Sequence, residues 1–162
     1  GPTLVEPRAL PGPALRILAL RGEKKMSKSD PETALLLDDD AATANRKIAG
    51  CQTAVEGRMS PHLASHLQLI ESLDPEAAGE ATAIVAGHLR GERVMGRFKQ
   101  HFARVVTDYL ARVQSRRARL TSGDIDRVLA EGRAFARGSA RRTLGEARQA
   151  MRFRADVPRT EA

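Results

Sequence analysis

The chain has 162 residues, 41% of them hydrophobic, and a formal net charge of +7. This length can bury one modest core but hardly two independent domains, and the single cysteine, Cys51, excludes an internal disulfide framework. No apolar run is long enough to span a membrane, so we expect a small cytoplasmic protein.

The first fourteen residues contain three prolines after the opening dipeptide, which favour extended, irregular backbone. Residues 15–20 are apolar except for Arg16 and are predicted to form a short β-strand. A single strand cannot satisfy its own backbone hydrogen bonds. We expect this segment to be disordered, folded back on helices, or paired with another molecule, which would allow oligomers to form.

A loop rich in lysine and serine follows at residues 22–31. Lys25 and Lys28 supply positive charge, and Ser27 and Ser29 supply hydroxyl donors. Glycine at its start and proline at its end predict turns. This composition is suited to holding phosphate groups, although a short charged run is more often only a solvated surface loop.

Helix start signals mark the middle of the chain. Asp40 can cap a helix over residues 41–49, with Gly50 ending it. Ser60 followed by proline begins a second helix, and a third is expected from residue 75 to about residue 89. His62 and His66 are four residues apart and could share a metal, but without further ligands we interpret them as structural or solvated histidines.

Two long helices are predicted to follow, over residues 95–120 and 122–152. The first has an apolar stripe at steps of three and four: Phe98, Phe102, Val105, Tyr109 and Val113. The second has an expected inward face: Ile125, Val128, Leu129, Gly132, Phe135, Ala136, Leu144, Ala147 and Met151. Because the turn between them is short, we expect antiparallel packing and a stability centre at this pair.

The basic charge is concentrated near the end of the chain. Residues 1–111 carry equal numbers of basic and acidic side chains, whereas residues 112–154 carry twelve arginines against four acidic residues. Such a surface is typical of proteins that bind a polyanion, because each arginine can replace counterions condensed on phosphate. The alternative is a solvated, arginine-rich helix face.

Residues 25–29 read KMSKS, which resembles the second signature of class I aminoacyl-tRNA synthetases. The order of several further segments is similar to that of the tryptophanyl-tRNA synthetase family: residues 15–20, 24–31, 35–40, 46–48, 96–99, 126–132 and 149–151. The first signature of the class, HIGH, has no match here, because all four histidines follow the loop and none lies in that context. The chain therefore resembles a C-terminal half, either an excised fragment or a natural short paralogue.

The resemblance implies a mostly all-α fold. It would be an antiparallel helical bundle with a long C-terminal helical hairpin, preceded by a short extended segment and the KMSKS loop. Residues 1–34 would be a remnant of a catalytic domain, residues 35–153 a helical domain of the anticodon-binding type, and residues 154–162 a flexible tail.

The resemblance also implies a function: the C-terminal portion of a tryptophan–tRNA ligase, inactive alone. Lys25, Met26, Ser27, Lys28 and Ser29 would contact ATP, bound with Mg²⁺ in the full-length family, and the two lysines would face its pyrophosphate. No cofactor is expected to bind tightly to this chain alone, and no metal site is predicted.

The predicted partner is the tRNA for tryptophan, together with a missing N-terminal catalytic domain or a full-length synthetase. By resemblance, the RNA-binding candidates are Arg112, Arg116, Arg117, Arg119, Arg133, Arg137 and Arg141. Two alternatives stay open: a truncated paralogue that binds tRNA or a partner protein without ligase activity, and a helical module used only for protein interaction.

Overall fold

The computed structural model describes residue 4 and residues 6–10, 16–55 and 57–152. These residues form five α-helices: α1 (Ala41–Ala49), α2 (Pro61–Leu73), α3 (Ala78–Leu89), α4 (Met95–Arg117) and α5 (Ser122–Ala150). They contain no sheet, which confirms the predicted mostly all-α class. No helix in this part of the chain combines the length and apolarity needed to cross a bilayer. The tail predicted to be flexible, residues 154–162, lies outside the described residues.

The helix starts predicted at Asp40 and Ser60 are confirmed by their caps, whereas the third helix begins at Ala78 rather than at residue 75 and has no side-chain cap. Asp40 Oδ1 accepts a hydrogen bond from the Thr43 amide at 2.7 Å at the start of α1. Ser60 Oγ accepts from the Leu63 amide at 3.0 Å, and Pro61 is the first residue of α2. Each cap satisfies a backbone amide that has no partner within its own helix, which explains why these residues begin helices.

The chain divides into two compact units: one is described over residues 16–55 and 57–119, and the other over residue 4 and residues 6–10 and 120–152. In the unit described over residues 16–55 and 57–119, α4 packs against α1, α2 and α3, and α2 also contacts α3. Most of the predicted α4 stripe is buried here, while Tyr109 and Val113 are only half-buried. The core of this unit consists of Leu20, Ala44, Ile48, Cys51, Leu63, Ile70, Ala81, Ile84, Val85, Phe98, Phe102, Val105, Val106 and Leu110.

The second unit contains α5, which begins with a reciprocal cap between Thr121 and Asp124. The buried inward face predicted for this helix is wrong: α5 carries no buried residue. Ile125, Val128 and Phe135 are 52%, 59% and 81% exposed. In the other unit the α4 stripe packs against α1, α2 and α3, so the buried core of the described residues lies among those four helices.

The predicted strand at residues 15–20 is also wrong over its described part. Only an isolated antiparallel bridge between Leu18 and Lys25 forms there. Leu20 is fully buried in the helical core, so the second of the three alternatives, folding back on the helices, is the one observed. The amides of Leu18, Ala19 and Leu20 donate to Ser65 Oγ of α2, to the Lys24 carbonyl and to the Thr33 carbonyl, respectively.

Candidate functional site

Lys25 and Met26, the first two residues of the motif, lie on the returning arm of a tight antiparallel turn over residues 17–26, which we call the KMSKS turn. The Ala19 amide donates to the Lys24 carbonyl and the Met26 amide donates to the Ile17 carbonyl, both at 2.9 Å. Gly22 lies between these two arms with a φ of +75°, a left-handed conformation that glycine adopts without strain. The turn therefore brings Lys25 back beside the arm that enters the loop.

Side chains of α2 and the backbone of the α1–α2 connection fasten this turn to the helices. Ser65 Oγ accepts from the Leu18 amide at 2.8 Å, and His62 Nε2 donates to the Gly22 carbonyl at 2.7 Å. The backbone N–H of Gln52 donates to the Leu20 carbonyl at 2.7 Å. The loop is consequently held to the helices through its backbone.

The motif itself continues as a turn. The Asp30 amide donates to the Ser27 carbonyl at 3.1 Å, and the Ser29 amide lies 3.4 Å from Ser27 Oγ. Met26 and Ser27 are half-buried, with Met26 packed against the core, whereas the other three motif residues are exposed. Among the described residues, no hydrogen bond or ion pair engages the ammonium groups of the motif lysines.

The segment after the loop is tied to the end of α4. Gln114 Nε2 donates to the carbonyls of Leu37 and Asp39, each at 2.9 Å. Arg117 forms an ion pair with Asp38. The KMSKS loop and the basic end of α4 are therefore connected through residues 37–39.

The candidate RNA-binding arginines of α4 and of the turn that follows it differ in their surroundings, although all are exposed. Arg112 lies over the Tyr109 ring, 5.8 Å from its centre, which leaves a guanidinium plane at the surface. Arg119 donates to Ser115 Oγ at 3.2 Å, and Arg117 is held by Asp38. Arg116 has no ion-pair partner among the described residues.

Arg133, Arg137 and Arg141 are exposed on α5 at intervals of four residues. At 3.6 residues per turn, positions spaced in this way lie within about 80° of one another around the helix. Arg127, on the same helix, is instead paired with Asp124 and Glu131 at 3.5 and 3.6 Å. The three candidates therefore form one cationic face, which we call the α5 arginine face.

Sequence reasoning missed Arg97 as part of a basic surface. Arg97, Arg104 and Arg112 recur at steps of seven or eight residues, which places them along one side of α4, where Arg104 is paired with Glu80 at 2.9 Å. This spacing was the available signal, but it was hidden by the apolar stripe used to predict the helix. A cavity of about 230 Å³ beside the first two of these arginines is lined by Glu80, Ile84, Arg97, Gln100, His101 and Arg104.

The histidines are structural. His62 and His88 are buried and place Nε2 against backbone carbonyls of Gly22 and Arg58, at 2.7 and 2.9 Å. His66 is fully buried and stacks on Phe102, with ring centres 5.0 Å apart. Burial, and then the positive charge of nearby His62, lowers the pKa of His66 to about 4. No metal-binding group of three or more ligands occurs in the described part of the chain.

The family described as tRNA synthetases class I (W and Y) matches residues 4–110. The chain belongs to this family. The match includes the KMSKS turn and the packed part of α1 to α4, which confirms the family predicted from the motif.

Several relatives of this class I synthetase chain are tryptophan–tRNA ligases. That of Halalkalibacterium halodurans is 31% identical over an alignment of 152 positions, which covers 88% of this chain and 44% of the relative. That of Mesorhizobium japonicum is 37% identical over an alignment of 136 positions, which covers 75% of this chain and 36% of the relative. The chain thus spans less than half the length of the curated relatives it matches.

Proposed function

We propose that this chain is the C-terminal part of a tryptophan–tRNA ligase, supplying the loop that binds ATP phosphates and helices that bind the tRNA for tryptophan. Its family and the tryptophan–tRNA ligases among its relatives support this substrate pair. The observation that carries the proposal is the exposed KMSKS turn. Its backbone is fastened to α2, while the ammonium groups of Lys25 and Lys28 have no partner among the described residues.

These residues fit a triphosphate because they offer two cations and two hydroxyl groups within five positions. Bound ATP would supply the adenylyl group for amino-acid activation, with pyrophosphate as the leaving group. Lys25 and Lys28 would hold the negative charge that develops on that pyrophosphate, which is an electrostatic role that requires no proton transfer. Ser27 and Ser29 would donate hydrogen bonds to phosphate oxygens.

The resemblance places the rest of the ATP site in a domain that carries the HIGH signature. We therefore propose that these residues alone bind phosphates weakly and do not activate tryptophan. ATP–pyrophosphate exchange with tryptophan measures activation directly. We expect no exchange with this chain, and robust exchange would show that the whole catalytic site is present.

The phosphate loop is tested by titrating the ¹⁵N-labelled chain with inorganic pyrophosphate and following backbone amide signals by NMR. We expect millimolar binding, with the largest shifts at residues 25–29. Lys25→Ala and Lys28→Ala should each weaken binding about 2- to 5-fold, since an exposed charge pair contributes up to about 1 kcal/mol. Lys24→Ala is the matched control, because Lys24 is equally exposed and precedes the motif. Equal effects of all three substitutions would indicate only nonspecific attraction.

The tRNA proposal is tested with neighbouring arginines that differ in their partners. Arg116→Ala should weaken binding of the tRNA for tryptophan, measured by fluorescence anisotropy, more than Arg117→Ala does. The reason is that Arg117 must first leave Asp38 to reach a phosphate. If neither substitution changes binding, this end of α4 does not contact the RNA.

A further inference from the structure

Two side chains on one face of α2 contact the KMSKS turn at different points. His62 and Ser65 are three residues apart, so they project from the same side of the helix. They are 6% and 4% exposed, respectively. Neither residue belongs to the motif, and their contacts are with loop backbone rather than with the motif side chains.

The chemical groups in these two contacts determine which atom donates each hydrogen bond and which accepts it. A backbone carbonyl only accepts hydrogen bonds, so the 2.7 Å contact requires a proton on His62 Nε2 that is donated to the Gly22 oxygen. Ser65 Oγ accepts from the Leu18 amide at 2.8 Å. The histidine therefore holds the apex of the turn, and the serine holds the arm that leads into it.

The position of that arm determines the position of the motif. Leu18 is bridged to Lys25, and the flanking hydrogen bonds from Ala19 to Lys24 and from Met26 to Ile17 close the turn on both sides. A displacement of the entering arm must therefore also displace the motif backbone.

The face of α2 that makes these contacts is itself fixed to the core. His66, one turn beyond His62, is fully buried and stacks on Phe102 of α4 with ring centres 5.0 Å apart. Leu63 and Ile70 of the same helix are also fully buried. The support for the loop is therefore a packed helix.

We infer that His62 and Ser65 are positioning residues for the KMSKS loop: they place Lys25 and Lys28 for phosphate without contacting phosphate themselves. This inference rests on the proposed phosphate-binding function of the loop. It predicts that the loop can be displaced, and its affinity for phosphate reduced, by substitutions on α2 that leave every lysine in place.

The experiment uses the full chain and four substitutions. His62→Phe removes the donor, His62→Gln keeps an N–H donor, and Ser65→Ala removes the acceptor. Ser72→Ala is the matched control, since Ser72 lies on the same helix and its hydroxyl donates only to the Gln68 carbonyl. Amide signals of residues 17–29 are recorded without ligand, and the affinity for inorganic pyrophosphate is then measured.

His62→Phe and Ser65→Ala should shift the loop amides and weaken pyrophosphate binding by up to about fivefold each, because a hydrogen bond of about 1 kcal/mol no longer holds the loop in its binding position. His62→Gln should restore the affinity to within about twofold of the original, and Ser72→Ala should change neither readout. A change in melting temperature alone does not count as support. If His62→Phe fails to fold, the loop amide signals and the pyrophosphate affinity of Ser65→Ala decide whether the inference holds.

Unchanged loop signals and unchanged affinity in folded His62→Phe or Ser65→Ala would overturn the inference. Failure of the original chain to bind pyrophosphate would instead overturn the proposed phosphate function. The ligand-free amide signals would then still decide whether α2 positions the loop, so the two failures are distinguishable.

Discussion

Lys47 Nζ lies 2.7 Å from Asp39 Oδ2 and 2.8 Å from Oδ1, and the two side chains are only 3% and 8% exposed. Lys47 also donates to the Ala34 carbonyl at 3.0 Å, and Asp39 accepts from the Leu36 amide at 2.9 Å. This buried ion pair fastens the segment that follows the KMSKS loop to α1. Its energetic importance comes from the cost of leaving either charge buried alone.

Replacing Lys47 with methionine should lower the free energy of unfolding by about 3 to 5 kcal/mol, because the Asp39 carboxylate would stay buried without its partner. The measurement is urea denaturation followed by circular dichroism. The double substitution Lys47→Met with Asp39→Asn removes both charges and should recover much of the loss. A loss below about 1 kcal/mol for the single substitution would show that water reaches Asp39.

The sequence predicted that Asp39 and Lys47 belong to a family pattern, but not that they pair. They are eight residues apart, and the intervening chain is partly irregular, so no helical spacing relates them. Helix starts such as Asp40 and Ser60 were predictable because a cap depends only on the next three residues. Burial of Phe135 was predicted wrongly because periodicity shows that a face is apolar, not what covers it.

His66 should make the stability of the protein depend on pH. Its pKa is lowered from 6.5 to about 4 in the folded chain, first by burial and then by the nearby charges of His62 and Lys99. At pH values between 4 and 6.5, His66 is mostly protonated in the unfolded chain and mostly neutral in the folded chain. Stability should therefore fall as the pH decreases from about 7 to 4, by about 3 kcal/mol in total from this residue.

The contribution of His66 to the pH dependence of the unfolding free energy is measured by comparing the original chain with His66→Leu. Both proteins are denatured with urea at several pH values. The difference between the two curves reports His66 together with its electrostatic interaction with His62 and Lys99. At neutral pH the substitution should change stability by about 1 kcal/mol or less, since a buried polar ring is replaced by an apolar side chain. Parallel curves down to pH 4 would mean that His66 can accept a proton in the folded state.

Gly22 should be sensitive to substitution because of its backbone rather than its surroundings. A β-carbon there would meet no atom within 4 Å, but the φ of +75° is unfavourable for other residues. Gly22→Ala should therefore cost about 1 to 2 kcal/mol in thermal or urea unfolding. Gly79→Ala is the matched control: it also has open space but lies in α3, so it should stabilise by about 0.5 kcal/mol. Equal effects of the two substitutions would show that the turn tolerates alanine.

The α5 arginine face should contribute to RNA binding through counterion release. Replacing Arg133, Arg137 and Arg141 together with alanine keeps a strong helix former at each position, so α5 should persist by circular dichroism. The association constant for tRNA is measured at several salt concentrations, and its logarithm is plotted against the logarithm of the salt concentration. If each arginine contacts one phosphate, the slope of this plot should become less steep by about 2 to 3 in the triple variant. Arg127→Ala is the control, because Arg127 is already paired with Asp124 and Glu131, and it should change the slope by about 0.5 or less. An unchanged slope in the triple variant would show that this face does not contact RNA phosphates, and would restrict the interface to the arginines of α4.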